Sequence, residues 1–373
     1  MEYPMPGSRE THEMVVVGDG MLLLSQQTNS TLVKVHLDRS TGRPLACKRY
    51  VIGSTWDGLH GLTASKAFSS CVWATLQFKS VVILVDPGAD MNKQPSIKTH
   101  ISLPPGVYGP HCIYEFGNDL WISCKDSGHV VRINWRNPSD HSVYPCSGHP
   151  IFVAVHPTSK DVYATLGSSS MIWRWKQDTH QTSEIHIPTT HGTTPVGLIQ
   201  GPDKNVWFTL LGNSTHGSGT FGCIRPNGEL QFLSLASPVG CKAGLIHLAF
   251  DYKRETLDSL PPGVHHLWIA GSSLIVSDDG YGVDAVFTVL VNVNEMKGRI
   301  LSERAICLPT QRCGVHRILP HSEVLLISQL KACSLACVSG AAAFKPEISS
   351  GESIDRYNAF GQGINANSYS FDG

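Results

Sequence analysis

No apolar run in the 373-residue sequence approaches the ~18 residues needed for a membrane-crossing helix, which excludes a helical span. Charge is also scarce. Only 16% of residues are charged, and 29 Lys and Arg against 30 Asp and Glu give a formal net charge of -1. With no basic stripe and no Lys/Arg block, neither a nucleic acid nor a membrane surface is expected as a partner. A weakly charged, moderately apolar surface better suits a small, partly apolar ligand. The 11 cysteines contain no CxxC pair, the closest spacing being Cys333 to Cys337. Buried reduced thiols are the first expectation, and a few disulfides of undetermined pairing in a secreted protein are the alternative. Met1 to Ser8 reads as folded chain and not as a leader, so localisation stays open between a soluble intracellular protein and one secreted after loss of a leader. The sequons Asn29-Ser30-Thr31 and Asn213-Ser214-Thr215 lean slightly towards secretion, and whether they are glycosylated is undetermined.

What is abundant is punctuation. The chain has 35 Gly and 22 Pro, scattered along its length, so it turns often. The stretch TTPVGLIQGPDKNVWFTLLGN, Thr193 to Asn213, reads as an apolar strand, a Gly-Pro-Asp turn supported by Asn205, and a second apolar strand. Relatives of this hairpin recur. Gly109-Pro-His-Cys-Ile113 leads to Leu120-Trp-Ile-Ser123, Leu59-His-Gly-Leu62 to Val72-Trp-Ala-Thr75, and Val315-His-Arg-Ile318 to Val324-Leu-Leu-Ile-Ser328. Further copies start at Thr11 and Gly148, and a looser one spans Lys242 to Ser272. Third and fourth alternating strands follow, such as Met171-Ile-Trp-Arg-Trp175 and Leu230-Gln-Phe-Leu233. Four short strands repeated about seven times predict an all-β, single seven-bladed β-propeller over residues 1–340. The last unit lacks a fourth strand, which Tyr3-Pro-Met-Pro6 supplies to close the ring. Residues 341–373 read as a polar C-terminal tail.

The recurring Gly-Pro-Asp-x-x-Val-Trp-Phe-Thr and Pro-Asn-Gly-Glu-Leu-x-Phe pattern, strongest at Pro195 to Leu235, resembles the streptogramin B lyase (virginiamycin B lyase-like) family of seven-bladed propellers. The resemblance is traceable over roughly residues 1–340. It implies a ligand site at the mouth formed by the starts of first strands and the ends of second strands. In that family the second strand commonly ends Trp-Phe-Thr-Glu, and a Glu and His pair near Mg2+ supports an elimination. Here the residues after the Ser/Thr are Gln26, Leu76, Cys124, Leu166, Leu210 and Gln329, so the mouth is expected to lack carboxylates and to bind no metal or other cofactor. Asp278, Asp279 and Asp284 offer replacement carboxylates, but a solvated Asp-Asp-Gly280 turn is the expected account.

His12, His60, His111 and His316 occupy the equivalent first-strand position of four blades, Ile151 and Val196 fill it in two others, and the Lys242–His247 stretch approximates it in the sixth. Converging imidazoles can hold a metal, exchange protons or hydrogen-bond a ligand, or else tie blades together through backbone bonds. The catalytic candidates are His60, His111, His316, Lys125 and Arg312. The substrate-binding candidates are His12, Gln27, Trp56, Gln77, Tyr108, Lys242, His247 and Gln329. Such a rim grips a carbonyl or enol oxygen and stacks on a flat ring. A lyase-like propeller without its Glu residues is similar to the hetero-Diels–Alderases of fungal tropolone-sesquiterpenoid pathways. That similarity implies a metal-independent cyclisation or cycloaddition of a polyketide- or terpenoid-derived intermediate in secondary metabolism. The alternatives are a streptogramin-lyase-like C–O elimination and a non-catalytic ligand- or protein-binding propeller. Two insertions in the sixth unit, Lys253 to Gly263 and Ser277 to Gly282, either shape a pocket or elaborate the surface.

Overall fold

In the computed structural model, residues 1–339 are described apart from 6, 8, 9, 19, 253–259 and 294–298. The 341–373 tail and most of the 253–263 insertion therefore lie outside the described residues. Among these residues the chain forms seven antiparallel sheets of four strands, each sheet taking its strands in chain order except the last. The inner strands are Met14–Val17, Leu59–Ala64, Pro110–Phe116, Pro150–Val155, Pro195–Gln200, Leu245–Phe250 and Val315–His321, defining blades 1 to 7. Blade 7 takes its outermost strand, Glu2–Pro4, from the N-terminus, with Tyr3 opposite Leu335. The all-β seven-bladed propeller and its N-terminal closure are as the sequence led us to expect.

Burial explains the hydrophobic runs. Each second strand is covered on both faces by neighbouring blades, so Val72–Leu76, Val162–Leu166 and Val206–Leu210 are buried at every position. Outer strands keep one wet face, and Ser96–Ser102 and His141–Pro145 alternate accordingly. Trp73, Trp121, Trp207 and Trp268 fill the gaps between blades and are among the largest fully buried side chains. In the Gly-Pro-Asp turn, Asp203 accepts from the Trp207 indole N–H at 3.0 Å and from the Asn205 amide at 3.2 Å. The turn motif thus satisfies the polar edge of its own core tryptophan.

In blades 1 to 4, 6 and 7 the Ser/Thr at the end of the second strand joins one blade to the next. Thr165 Oγ1 accepts from Phe152 N in its own blade and donates to Val196 O in the following one at 2.7 Å. Ser123 does the same between Cys112 N and Ile151 O, and Ser328 between Arg317 N and His12 O. Ser25 and Thr75 reach His60 O and His111 O, and Ser272 reaches Val315 O. Every one of these hydroxyls is essentially dry. The approach is close enough to require glycine at Gly61, where an added Cβ would stand 2.4 Å from His111 O.

Candidate functional site at the axial mouth

Irregularities in the same inner strands aim the histidines of blades 2, 3 and 7. Where the inner strand starts, blades 2 to 7 each carry a register shift that places an extra residue opposite the second strand. A bulge of this kind turns a side chain out of the alternating pattern, here towards the propeller axis. His111 and His316 are the extra residues, while His60 and Gly61 together face Thr75. Blades 7, 1, 2 and 3 thus contribute an arc of imidazoles. Successive ring centroids, His316 to His12 to His60 to His111, are 5.0, 4.5 and 4.0 Å apart. Ile151 and Val196 continue the ring in blades 4 and 5, giving the mouth one polar and one apolar side. In blade 6 the extra residue is Ile246, so His247 is displaced by one position from the place expected for it. His247 packs 6.4 Å from the Phe152 ring, with its Nδ1 facing the amide of Ile318 at 3.5 Å.

The next blade's backbone sets the tautomers. His60 Nδ1 lies 3.0 Å from His111 O, and His111 Nδ1 lies 3.1 Å from Ile151 O. A carbonyl only accepts, so both Nδ1 atoms carry the proton and both Nε2 atoms keep their lone pair. Burial holds His60, His111, His247 and His316 well below the usual imidazole range, and neighbouring positive charge pushes the same way. Lys125 is among those charges for His60 and His111. His60, His111 and His316 are therefore neutral imidazoles at neutral pH. The backbone bonds also make His60 and His111 inter-blade ties, the structural role that the spacing left open.

The mouth is not free of acids. Glu13, one residue beyond His12, is buried in the channel with its Oε2 2.6 Å from Arg317 Nε, and its Oε1 is 3.6 Å from His316 Nδ1. Burial pushes the Glu13 carboxyl up, and Arg317 pulls it back. On the rim, Glu10 Oε2 lies 3.2 Å from His12 Nε2 and accepts from Thr28 Oγ1 at 3.0 Å. The bond to His12 lowers the Glu10 pKa. Gln27 Nε2 donates to Gln77 Oε1 at 2.7 Å, and Gln77 Nε2 to Asp126 Oδ2 at 3.0 Å, an amide chain across blades 1, 2 and 3. The expectation of a carboxylate-free mouth is thus corrected. The acids come from loop and inner-strand positions and not from the second-strand ends, which is why that repeat position concealed them.

Other candidates fall elsewhere. Gln329 is fully buried within blade 7, donating to Glu2 Oε1 at 2.9 Å and accepting from Ser334 Oγ, and so does not reach the rim. Arg312 turns its guanidinium onto the carbonyls of Ser277 and Asp278. The Lys242 ammonium sits 5.6 Å over the ring of Tyr281. Trp56 and Tyr108 are exposed on the entry loops, at 82% and 53%. Asp278 and Asp279 belong to the exposed turn, but Asp284 is fully buried, where its carboxylate holds Ser273 and the amide of Val315. A shallow depression of about 290 Å³ adjoins the amide chain, lined by Asp126, Ser127, Cys146, Ser147 and His149. Desolvation raises the half-buried Cys112 thiol to about 11 and the half-buried Cys146 and buried Cys223 thiols to about 12, which disfavours their reactive thiolate forms. No helix among the described residues is long and apolar enough to cross a membrane.

Against known proteins, neither a sequence family nor a curated protein matches the chain. Solved structures do. Virginiamycin B lyase from Staphylococcus aureus superposes with a TM-score of 0.65 at 16% identity, over 90% of this chain and 97% of that one. A catalytically inactive variant of that lyase with quinupristin gives 0.66 at 16% identity, over 91% and 98%. A chain of the mitotic checkpoint complex gives 0.63 at 9% identity, over 90% of each. The likeness is one of fold. One propeller scaffold serves an enzyme in the first case and a protein assembly in the other. Mg2+, which resemblance to the lyases implies, is a hard ion that wants several oxygen ligands. The channel offers it mostly imidazole nitrogen, while Glu10 and Asp126 are engaged on neighbouring side chains and Glu13 has one of its two oxygens on Arg317. These residues do not fit that ion.

Proposed function

We propose that the propeller is an enzyme acting on a small, partly apolar molecule seated over the axial mouth, and that it breaks a C–O bond by elimination. The observation that carries this reading is the neutral His111 imidazole. Its Nδ1 is fixed on the Ile151 carbonyl, so its Nε2 is a base at neutral pH, and the Lys125 charge lies nearby. In the step, His111 Nε2 takes the proton next to a substrate carbonyl. The C–H electron pair forms a C=C bond as the C–O bond breaks and the oxygen leaves as a carboxylate. Lys125 steadies the negative charge that gathers on the carbonyl oxygen. The Gln27–Gln77–Asp126 chain and the exposed rings of Trp56 and Tyr108 orient the molecule, and Ile151 and Val196 receive its apolar side. The fold shared with an enzyme of this type supports the reading.

A second reading, ring closure of a polyketide- or terpenoid-derived intermediate, is supported by the division of the mouth into an imidazole arc and an apolar arc. That division favours orientation and polarisation over strong-base chemistry.

Mass spectrometry separates these. Quinupristin and a panel of cyclic and linear esters incubated with the protein should give an opened product of unchanged mass, or two fragments, carrying a new C=C bond, and His111→Gln should lose at least a hundredfold in rate. Gain of one water across the panel, or full activity in His111→Gln, defeats the elimination reading. A new ring formed from an open polyene substrate would favour the second.

A further inference from the structure

We propose that His12, His60 and His316 together bind one divalent transition-metal ion of the zinc class inside the axial channel. This stands apart from the elimination reading. One ring nitrogen from each of the three residues lies within 4.8 Å of the others, and all three side chains are buried. An ion at the centre of such a triangle needs each nitrogen to move in by about 0.7 Å or less to reach the 2.0–2.1 Å of a zinc–imidazole bond. That is within the reach of small side-chain torsions.

The surroundings supply what a metal-bound histidine requires. Such a ring usually gives its second N–H to a carboxylate or a backbone carbonyl, which fixes the tautomer and leaves the other nitrogen to the ion. His60 does this through Nδ1 to His111 O at 3.0 Å, leaving Nε2 as the donor atom. His12 does it through Nε2 to Glu10 Oε2 at 3.2 Å, leaving Nδ1. A second, independent observation points to a ligand. His12 Nδ1, His316 Nδ1 and Glu13 Oε1 are all buried without a hydrogen-bond partner, although each residue is at least 94% buried. These three orphaned polar atoms belong to neighbouring residues of the same cluster, and their chemistry, two nitrogens and a carboxylate oxygen, is that of a ligand set. Glu13 Oε1, 3.6 Å from His316 Nδ1, is placed to accept from that ring or to complete the coordination. Imidazole donors select zinc, cobalt, nickel or copper over magnesium or calcium.

The test uses untagged full-length protein, stripped with a chelator and titrated with Zn2+ against a chromophoric competitor, followed by Co2+ substitution. The expected result is one equivalent bound and, with Co2+, intense visible bands of a four- or five-coordinate nitrogen site. His316→Asn and His12→Gln should each weaken binding at least a hundredfold. Glu10→Gln, which removes no ligand, should weaken it 10- to 100-fold, and His186→Gln on the outer strand of blade 4 should leave it unchanged. Folding of each variant is checked by circular dichroism. Absence of the cobalt bands in wild-type protein overturns the proposal whatever the variants do. So does equal affinity in His316→Asn, His186→Gln and wild type.

Discussion

Arg317 Nε stands 2.6 Å from Glu13 Oε2, an ion pair that joins the last inner strand to the first at the seam of the ring. The two residues are 304 positions apart in sequence, and each occupies the site one beyond the axial histidine of its blade. Glu13 is 97% buried, and Arg317 also covers the ring of Phe152 at 4.7 Å. Removing only the cation leaves a dry carboxylate without compensation. Arg317→Met should therefore cost about 3 kcal/mol at neutral pH in urea unfolding. The loss has a defined pH dependence. A carboxyl whose folded pKa is raised binds its proton more readily when folded, so stability falls as pH rises through that range and is recovered on acidification. The gap between variant and wild type should narrow towards pH 4.5, and a pH-independent gap would show that the carboxylate is not the source of the loss.

The histidines impose the opposite trend. His60, His111, His247 and His316 have folded pKa values well below 6.5. A lowered basic group favours the folded state above its unfolded pKa and loses that contribution as pH falls below it. Between about pH 6 and the folded values, unfolding should take up about three to four protons, partly offset by Glu13 as pH falls into its raised range. The transition midpoint should thus drop steeply from pH 7 to pH 5, and His111→Gln should reduce the measured uptake by about one proton. Unchanged uptake in that variant would mean that His111 already titrates normally when folded.

The equivalence of His12, His60, His111 and His316 was legible because the repeats carry their own alignment: Ser25, Thr75, Ser123 and Ser328 follow them at a short offset of 12 to 15 residues. That offset has a cause, since the hydroxyl binds the residue after the histidine and the carbonyl of the following blade. Glu13 and Arg317 escaped notice because their pairing depends on ring closure, which no local spacing encodes. Gln329 misled for a related reason. Its position directly follows the strand-ending hydroxyl, and Gln26, Leu76, Cys124, Leu166 and Leu210 at that place in other blades are also fully buried, whereas the rim residues Gln27, Gln77 and Lys125 come one residue later. His247 was displaced because blade 6 puts Ile246 on the bulge.

The blade-joining hydroxyls can be tested individually. Thr165→Val keeps the volume but leaves the buried amide of Phe152 without its acceptor and Val196 O without its donor. The expected cost is about 2 kcal/mol, appearing in the urea midpoint with an unchanged slope. A similar change at exposed Thr182, on the outer strand of the same blade, should be close to neutral. Equal effects at the two sites would remove the case that these hydroxyls hold the ring together.

Trp207 tests the packing between blades. Its ring is 1% exposed, meets Phe250 of the next blade edge to face at 5.7 Å, and is anchored by Asp203. Trp207→Ala should cost about 3 to 5 kcal/mol by opening a cavity between blades 5 and 6. It also leaves Asp203 without its indole donor. Trp207→Phe retains much of the volume but not the N–H, so it should cost less, and the difference between the two variants measures the cavity. Asp203→Ala adds a check on the polar edge. In Trp207→Phe the aspartate has already lost the indole, so the further loss on Asp203→Ala should be smaller than the loss in wild type. Additive losses would show that the indole bond carries no coupling and that the turn aspartate acts on Asn205 alone.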